Sequence, residues 1–177
     1  MFFYRNIANA PSRNARLFKD TDTKGPRSRS TGGPKMTSLE SAKFLALSGS
    51  ISIFFSAWIG VIMLFPRRPN RDAGEAGGVN FKQIGAAHID WIMLGLMQGL
   101  AGLLILLFAI TPAPYVLWLM AFGAWLNPLP YVFRAFGINA FVFAGGPVQR
   151  SAATLGGLSS TAILVSWSLI FLSIASR

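Results

Sequence analysis

Four long apolar segments constrain this chain more than any other feature of its sequence. They span approximately residues 42–65, 84–110, 115–136 and 152–175. Each is at or near the ~20 residues that an α-helix needs to cross a bilayer. Only 12% of all residues are charged, about half the share found in soluble domains. The sequence therefore predicts an all-α fold, an integral membrane bundle of four transmembrane helices within residues 37–177.

The ends of these segments carry recognisable stop and start signals. Thr37 and Glu40 have the spacing of a helix capping box, so the folded unit is expected to begin there. The short turn at residues 111–114 (TPAP) predicts that the second and third segments form an antiparallel helical hairpin.

The N-terminal residues 1–36 form a basic arm rich in Ser, Gly and Pro, which we expect to be disordered. Two alternatives stay open: an organelle transit peptide, against which Asp20 and Asp22 argue, and a translation start at Met36. Nine of the 16 basic residues precede Phe44, so the charge is not spread over a folded surface and nucleic-acid binding is not expected.

Two further properties bound the possible functions. The chain has no cysteine, which excludes disulfides, thiolate metal sites and cysteine nucleophiles. Basic residues in the first interhelical loop (Arg67, Arg68, Arg71) and Lys82 offset those of the arm, so the positive-inside rule leaves the membrane orientation open.

His88 is the only histidine and stands at the head of the second apolar segment. At about 100° per residue, Gly95, Gly99 and Gly102 lie within about 40° of the direction of His88. One interpretation is a close-packing surface for a neighbouring helix. The other is a bare groove for a flat ligand, with the imidazole as an axial ligand of haem iron. Both stay open at this point.

Asp90 falls on nearly the opposite side of this helix from His88. We expect it to pair with Lys82 or an arginine of the first loop; the alternative is a supporting acid near a site. Deeper in the same helix, Gln98 is expected to form an interhelical hydrogen bond.

The third segment carries a second polar group of residues. Asn127 and Tyr131 are four residues apart and share a helix face, with Arg134 below them. Pro128 and Pro130 remove two backbone donors and should bend the helix there. A kink beside polar side chains is compatible with a binding site and with a purely structural role.

Together the two stretches resemble a small family of four-helix membrane proteins, the styrene oxide isomerases and hydroxylaminobenzene mutases. The resemblance covers roughly residues 37–176 in helix number, loop pattern and order of motifs. It is carried by His88, Gly95, Gly123, Trp125, Asn127 and Tyr131.

The resemblance implies a homotrimer that binds haem b between subunits, with His88 as axial ligand and with Gly95 and Gly99 bordering the cofactor. It implies that Asn127 and Tyr131 are catalytic residues acting on an apolar epoxide. In such enzymes ferric iron acts as a Lewis acid and a 1,2-hydride shift yields the aldehyde, a Meinwald rearrangement. The expected location is the bacterial cytoplasmic membrane, among membrane lipids.

One position departs from the family, which commonly has an asparagine where this chain has Leu94. A polar contact is then absent, or Gln98 supplies it from another angle. Two rival functions remain: a rearrangement of the hydroxylaminobenzene mutase type, and a non-catalytic membrane scaffold in which His88 and Tyr131 only pack.

Overall fold

The computed structural model describes residues 36–65 and 78–177. The regular secondary structure in this part of the chain is all helical. The helices are, in order, α1 (Ser38–Leu64), α2 (Phe81–Leu107), α3 (Pro114–Leu126), α4 (Leu129–Ala135) and α5 (Pro147–Ala175). Because α3 and α4 together form one apolar span, the described residues contain four helical spans long and apolar enough to cross a membrane. The predicted all-α fold with four such spans is confirmed. The predicted disorder of the arm concerns residues 1–35, which lie outside the described ranges. The loop arginines Arg67, Arg68 and Arg71 lie outside them as well.

The first two helices begin earlier than hydropathy alone predicts, because polar side chains cap them. At α1 the Thr37 Oγ1 accepts the Glu40 N–H at 3.2 Å, and a Glu40 carboxylate oxygen accepts the Thr37 N–H at 2.8 Å. This confirms the predicted capping box. At α2 the Asn80 side chain accepts the Lys82 N–H at 3.1 Å. Caps of this kind satisfy N–H groups that have no partner inside the helix.

The third and last spans also differ from their predicted bounds. The third is divided into α3 and α4, since Asn127 and Pro128 lie between them and Pro128 and Pro130 lack backbone donors. The predicted bend is thus a break. The last helix begins at Pro147, before the predicted residue 152, because its first turn is too polar to register as apolar. Proline is favoured at that first helical position.

Helices α1 and α2 form a closely packed antiparallel pair. A Cβ atom added to Gly95 would lie 2.7 Å from the Gly49 carbonyl oxygen, and one added to Gly102 would lie 3.0 Å from that of Ala42. One turn beyond the contact of Gly49 with Gly95, the Ser52 hydroxyl donates to the Trp91 carbonyl oxygen at 3.0 Å. Small residues let the two backbones approach, which is the usual basis of helix association in lipid.

Helices α3 and α5 form a second antiparallel pair on the same principle. A Cβ atom on Gly123 would lie 2.7 Å from the Ser159 carbonyl oxygen, and the Ser166 hydroxyl donates to the Val116 carbonyl oxygen at 3.0 Å. The main apolar core joins the two pairs; its largest fully buried members are Leu45, Ile105, Ile110, Leu117, Met120 and Ile170.

The outer surface of the bundle is apolar. Large side chains such as Phe54, Trp58, Leu103, Trp118 and Leu164 are more than half exposed. A soluble domain would bury a surface of this size, whereas a bilayer solvates it. The fold is therefore that of an integral membrane protein. The buried polar side chains of the described residues lie between its helices; they are Ser41, Ser52, Ser56, Gln98, Ser159 and Ser166.

Candidate functional site

His88 faces α1 and is held there by Ser56. The His88 Nδ1 lies 2.8 Å from the Ser56 carbonyl oxygen and 2.7 Å from the Ser56 Oγ, while that Oγ donates to the His88 carbonyl oxygen at 2.6 Å. A carbonyl oxygen only accepts, so the contact with the Ser56 carbonyl oxygen is a hydrogen bond when the proton is on Nδ1. In that tautomer the lone pair is on Nε2, the form in which histidine binds a metal through this nitrogen.

Gly60 provides the room for the imidazole ring. A Cβ atom added to Gly60 would lie 3.0 Å from the His88 Cε1 and 3.4 Å from its Nε2. Any larger residue at this position would push the ring from its place or move α1. Ser56 and Gly60 therefore form a seat for His88, one turn apart on the same face of α1.

The glycine stripe below His88 has two different environments. Gly95 packs against Gly49 and Ile53 of α1, so within one protomer its face serves helix packing. A Cβ atom at Gly99, by contrast, would meet nothing within 4 Å among the described residues. The placement of Gly95 and Gly99 beside a cofactor stays a prediction, and within one protomer only Gly99 faces open space.

Asn127, in the break between α3 and α4, joins three helices through its amide. Its Nδ2 donates to the Asp90 Oδ2 of α2 at 3.2 Å, and its Oδ1 accepts from the Ser160 hydroxyl of α5 at 2.7 Å. The Ser159 hydroxyl lies farther from Oδ1, at 3.4 Å, and donates to the Gly156 carbonyl oxygen at 2.9 Å. The broken helix thus places a fixed amide between α2 and α5.

The Asn127 amide borders a cavity of about 330 Å³, here called the amide pocket. Its lining includes Asn127, Tyr131, Phe141, Phe143, Gly156 and Ser160. The rings of Tyr131 and Phe141 meet edge to face at 5.1 Å. A Cβ atom on Gly156 would lie 2.9 Å from the Pro130 ring, so glycine permits close packing at the wall. A partly open pocket with mainly apolar walls and a few polar groups is typical of a site for a small molecule.

Arg134 lies outside the amide pocket. It is exposed, and its guanidinium lies 5.6 Å from the Phe141 ring centroid, within the range of a cation–π contact. The predicted stripe of amide, phenol and guanidinium is therefore divided, with Asn127 and Tyr131 at the pocket and Arg134 at its outer edge.

The structure places the His88 seat and the amide pocket on different sides of α2. His88 contacts α1, whereas Asp90, about 200° further round the helix, contacts Asn127. Trp91 lies between these directions and donates its indole N–H to the Trp125 carbonyl oxygen at 3.1 Å. The predicted axial ligand and the predicted catalytic pair are thus not brought together by contacts within one protomer.

Three expectations for α2 have different outcomes. Asp90 forms no ion pair with Lys82, which is exposed; its partner among the described residues is Asn127. Gln98 is fully buried, yet neither of its side-chain polar atoms has a hydrogen-bond partner in the described part, so the expected interhelical bond is not formed. Leu94 packs in an apolar cluster with Ala124 and Ile163.

The donors present fit a haem better than a metal bound by protein side chains alone. Within residues 36–65 and 78–177, no three His, Cys, Asp or Glu side chains are grouped to hold an ion. A porphyrin supplies four nitrogen ligands itself and needs one imidazole from the protein. His88, with Nδ1 bonded to a carbonyl oxygen, meets that requirement.

Ser56, Gly60 and Ser160 belong to these sites but do not stand out in the sequence. Ser52, Ser56 and Gly60 are spaced four residues apart on α1, a pattern of small residues from which the side facing α2 could have been found. Ser160 is 33 residues from Asn127, and no local pattern connects them.

Comparison of the sequence with protein-family models and curated proteins, and of the fold with solved structures, finds no match.

Proposed function

We propose that this protein is a haem-b-dependent membrane isomerase that converts an apolar or aryl epoxide into an aldehyde. The observation that carries the proposal is the state of His88. An ionisable side chain in an apolar helix is costly unless it has a partner or a function. The contact of the His88 Nδ1 with the Ser56 carbonyl oxygen is the one expected when the proton is on Nδ1 and Nε2 is available to bind a metal.

His88 would hold the haem iron, which as a Lewis acid would withdraw electron density from the epoxide oxygen. Substrate and product are isomers, so no side chain has to supply or remove a proton overall. The protein's own task is to orient the substrate and exclude water.

The amide pocket supports this task. An epoxide oxygen accepts hydrogen bonds, and Asn127 and Tyr131 offer an N–H and an O–H at the wall of the pocket. The aromatic walls suit an aryl group. Substrate bound between these walls would displace water, so that a carbocation formed on ring opening would rearrange before it is trapped as a diol.

The separation of His88 from the amide pocket supports a site shared between protomers. A homotrimer in which His88 of one protomer faces the amide pocket of a neighbour would bring the two sets together. The exposed apolar surface is available both for such contacts and for lipid. We propose the bacterial cytoplasmic membrane as the location.

The first experiment is to purify the full chain in mild detergent beside His88→Ala and to record haem absorbance per mole of protein. We expect a Soret band in the wild type and its loss in His88→Ala, followed by turnover of styrene oxide to an aldehyde by the wild type alone. A matched control is Gln98→Leu, which removes another buried polar group of α2.

A colourless wild type after haem reconstitution would contradict the proposal and favour a scaffold. Haem binding with turnover of an arylhydroxylamine instead would indicate a mutase.

A further inference from the structure

We propose that Asp90 is a positioning residue that fixes the amide of Asn127, so that an N–H donor is kept for a ligand in the amide pocket. The ligand it selects is a small apolar molecule with an acceptor oxygen. This inference rests on the proposed function for its kinetic consequence, but its structural content can be tested without it.

The geometry defines which atoms of the amide are already engaged. One Nδ2 hydrogen of Asn127 is directed to the Asp90 carboxylate at 3.2 Å, and Oδ1 accepts from Ser160 at 2.7 Å. The second Nδ2 hydrogen has no acceptor among the residues that the structure describes. Since Asn127 lines the amide pocket, this N–H is the uncommitted donor of the group.

Among the described hydrogen-bond partners of Asn127, Asp90 is the one that determines which way the amide points. The hydroxyls of Ser159 and Ser160 donate or accept, so they tolerate both orientations of an asparagine. A carboxylate only accepts, and it therefore requires the NH₂ group on its own side. Without it, the amide could turn over and present its oxygen, which would repel an epoxide oxygen.

The cost of Asp90 argues that it serves a purpose of this kind. A carboxyl group within a membrane-spanning helix is unfavourable unless it is well partnered. Asp90 is half-buried in α2, has no ion-pair partner in the described ranges, and makes one hydrogen bond, to Asn127. A bond that only tied α2 to the helix break could be made by neutral side chains at lower cost.

The test begins with an observable that does not depend on activity. Full-length protein labelled with [15N]asparagine is studied in detergent micelles, and the Asn127 side-chain signal is identified by its loss in Asn127→Ala. In the wild type the two Nδ2 protons should differ strongly, because one is bound to a carboxylate. Asp90→Asn should reduce this difference, and Asp90→Glu, which keeps an acceptor-only group, should preserve it. Glu40→Gln, the same acid-to-amide change at the start of α1, is the matched control.

Kinetics with styrene oxide then test the consequence. Asp90→Asn should lower kcat by about tenfold to a hundredfold, the scale of a misplaced orienting group. Haem content should be unchanged, because His88 lies on the other side of α2. In the Asn127→Ala background the same substitution should have little further effect, since Asp90 acts through Asn127.

Two results would overturn the inference: an Asn127 signal that is unchanged in Asp90→Asn, or an equal loss of kcat with and without Asn127. If Asp90→Asn does not fold, Asp90→Ser replaces it, because a hydroxyl likewise cannot impose the orientation. If no form of the protein turns over an epoxide, the proposed function fails, and the signal of Asn127 alone decides the role of Asp90.

Discussion

The imidazole of His88 shows how one side chain acquires a defined chemical state inside an apolar helix. Its Nδ1 lies 2.8 Å from a backbone oxygen of a neighbouring helix, a contact that favours the tautomer with the proton on Nδ1. The seat made by Ser56 and Gly60 also sets the position of the ring. A single methyl group added at this seat should therefore lower the affinity for the proposed haem.

Gly60→Ala tests that expectation. The added Cβ would lie 3.0 Å from the His88 Cε1, so the ring must shift by a few tenths of an ångström. We expect haem affinity to fall by about tenfold, the lower end of the effect of losing a partner that orients a ligand. The measurement is haem titration of the apoprotein. Gly85→Ala is the control, because its Cβ would meet only the flexible end of Met63. Equal affinities for the two variants would contradict the proposed seat.

At the scale of helices, packing depends on where the chain has no side chain. The pairs α1–α2 and α3–α5 approach closely at glycines and serines, and the serine hydroxyls donate to carbonyl oxygens of the facing helix. In lipid no hydrophobic force drives helices together, so this close contact must hold each pair. Between α3 and α4 the chain places Asn127 where side chains of α2 and α5 both form hydrogen bonds with it.

Two glycines one turn apart on α2 provide a matched test of helix packing. Gly95→Ala would bring a methyl group 2.7 Å from the Gly49 carbonyl oxygen, and we expect it to cost about 1–3 kcal/mol of stability, as overpacking usually does. Gly99→Ala meets nothing within 4 Å in the described part and should be neutral or stabilising. Thermal unfolding of haem-free protein in detergent measures both. A Gly95→Ala variant as stable as Gly99→Ala would refute the close contact of α1 and α2.

At the scale of the whole molecule, His88 and the amide pocket lie on different sides of α2, so the proposed function requires a second protomer to bring them together. In a cyclic homotrimer each proposed site would take His88 from one protomer and Asn127 with Tyr131 from the next. Gly99, open within one protomer, is then a position where a neighbouring subunit or the cofactor can approach.

Mixing two inactive variants tests this shared site. His88→Ala and Tyr131→Phe are each expected to be inactive, but every mixed trimer of the two chains should contain one site in three, about a third, with both residues intact. The measurement is epoxide turnover after co-expression of the two chains with different tags and purification through both tags. Turnover no higher than that of either variant alone would show that each site lies within one protomer.

The sequence by itself determined the membrane class, the four spans and the cap of α1, because these depend on local composition and spacing. Apolar runs long enough for a bilayer have few alternatives, and a Thr and a Glu three residues apart can satisfy each other's backbone donors without the rest of the chain. The sequence also located His88, Asn127 and Tyr131 as polar positions within helices, since polar side chains stand out in an apolar run.

Only the tertiary structure decided the partners of those side chains. Asp90 binds Asn127 instead of Lys82, the His88 Nδ1 contacts the Ser56 carbonyl oxygen, and Gly95 packs against α1. These contacts join residues more than thirty positions apart, and they depend on the rotation and depth of one helix against another. Helical periodicity gives the direction of a side chain around its own axis, but the neighbour it meets is set by the packing of the bundle.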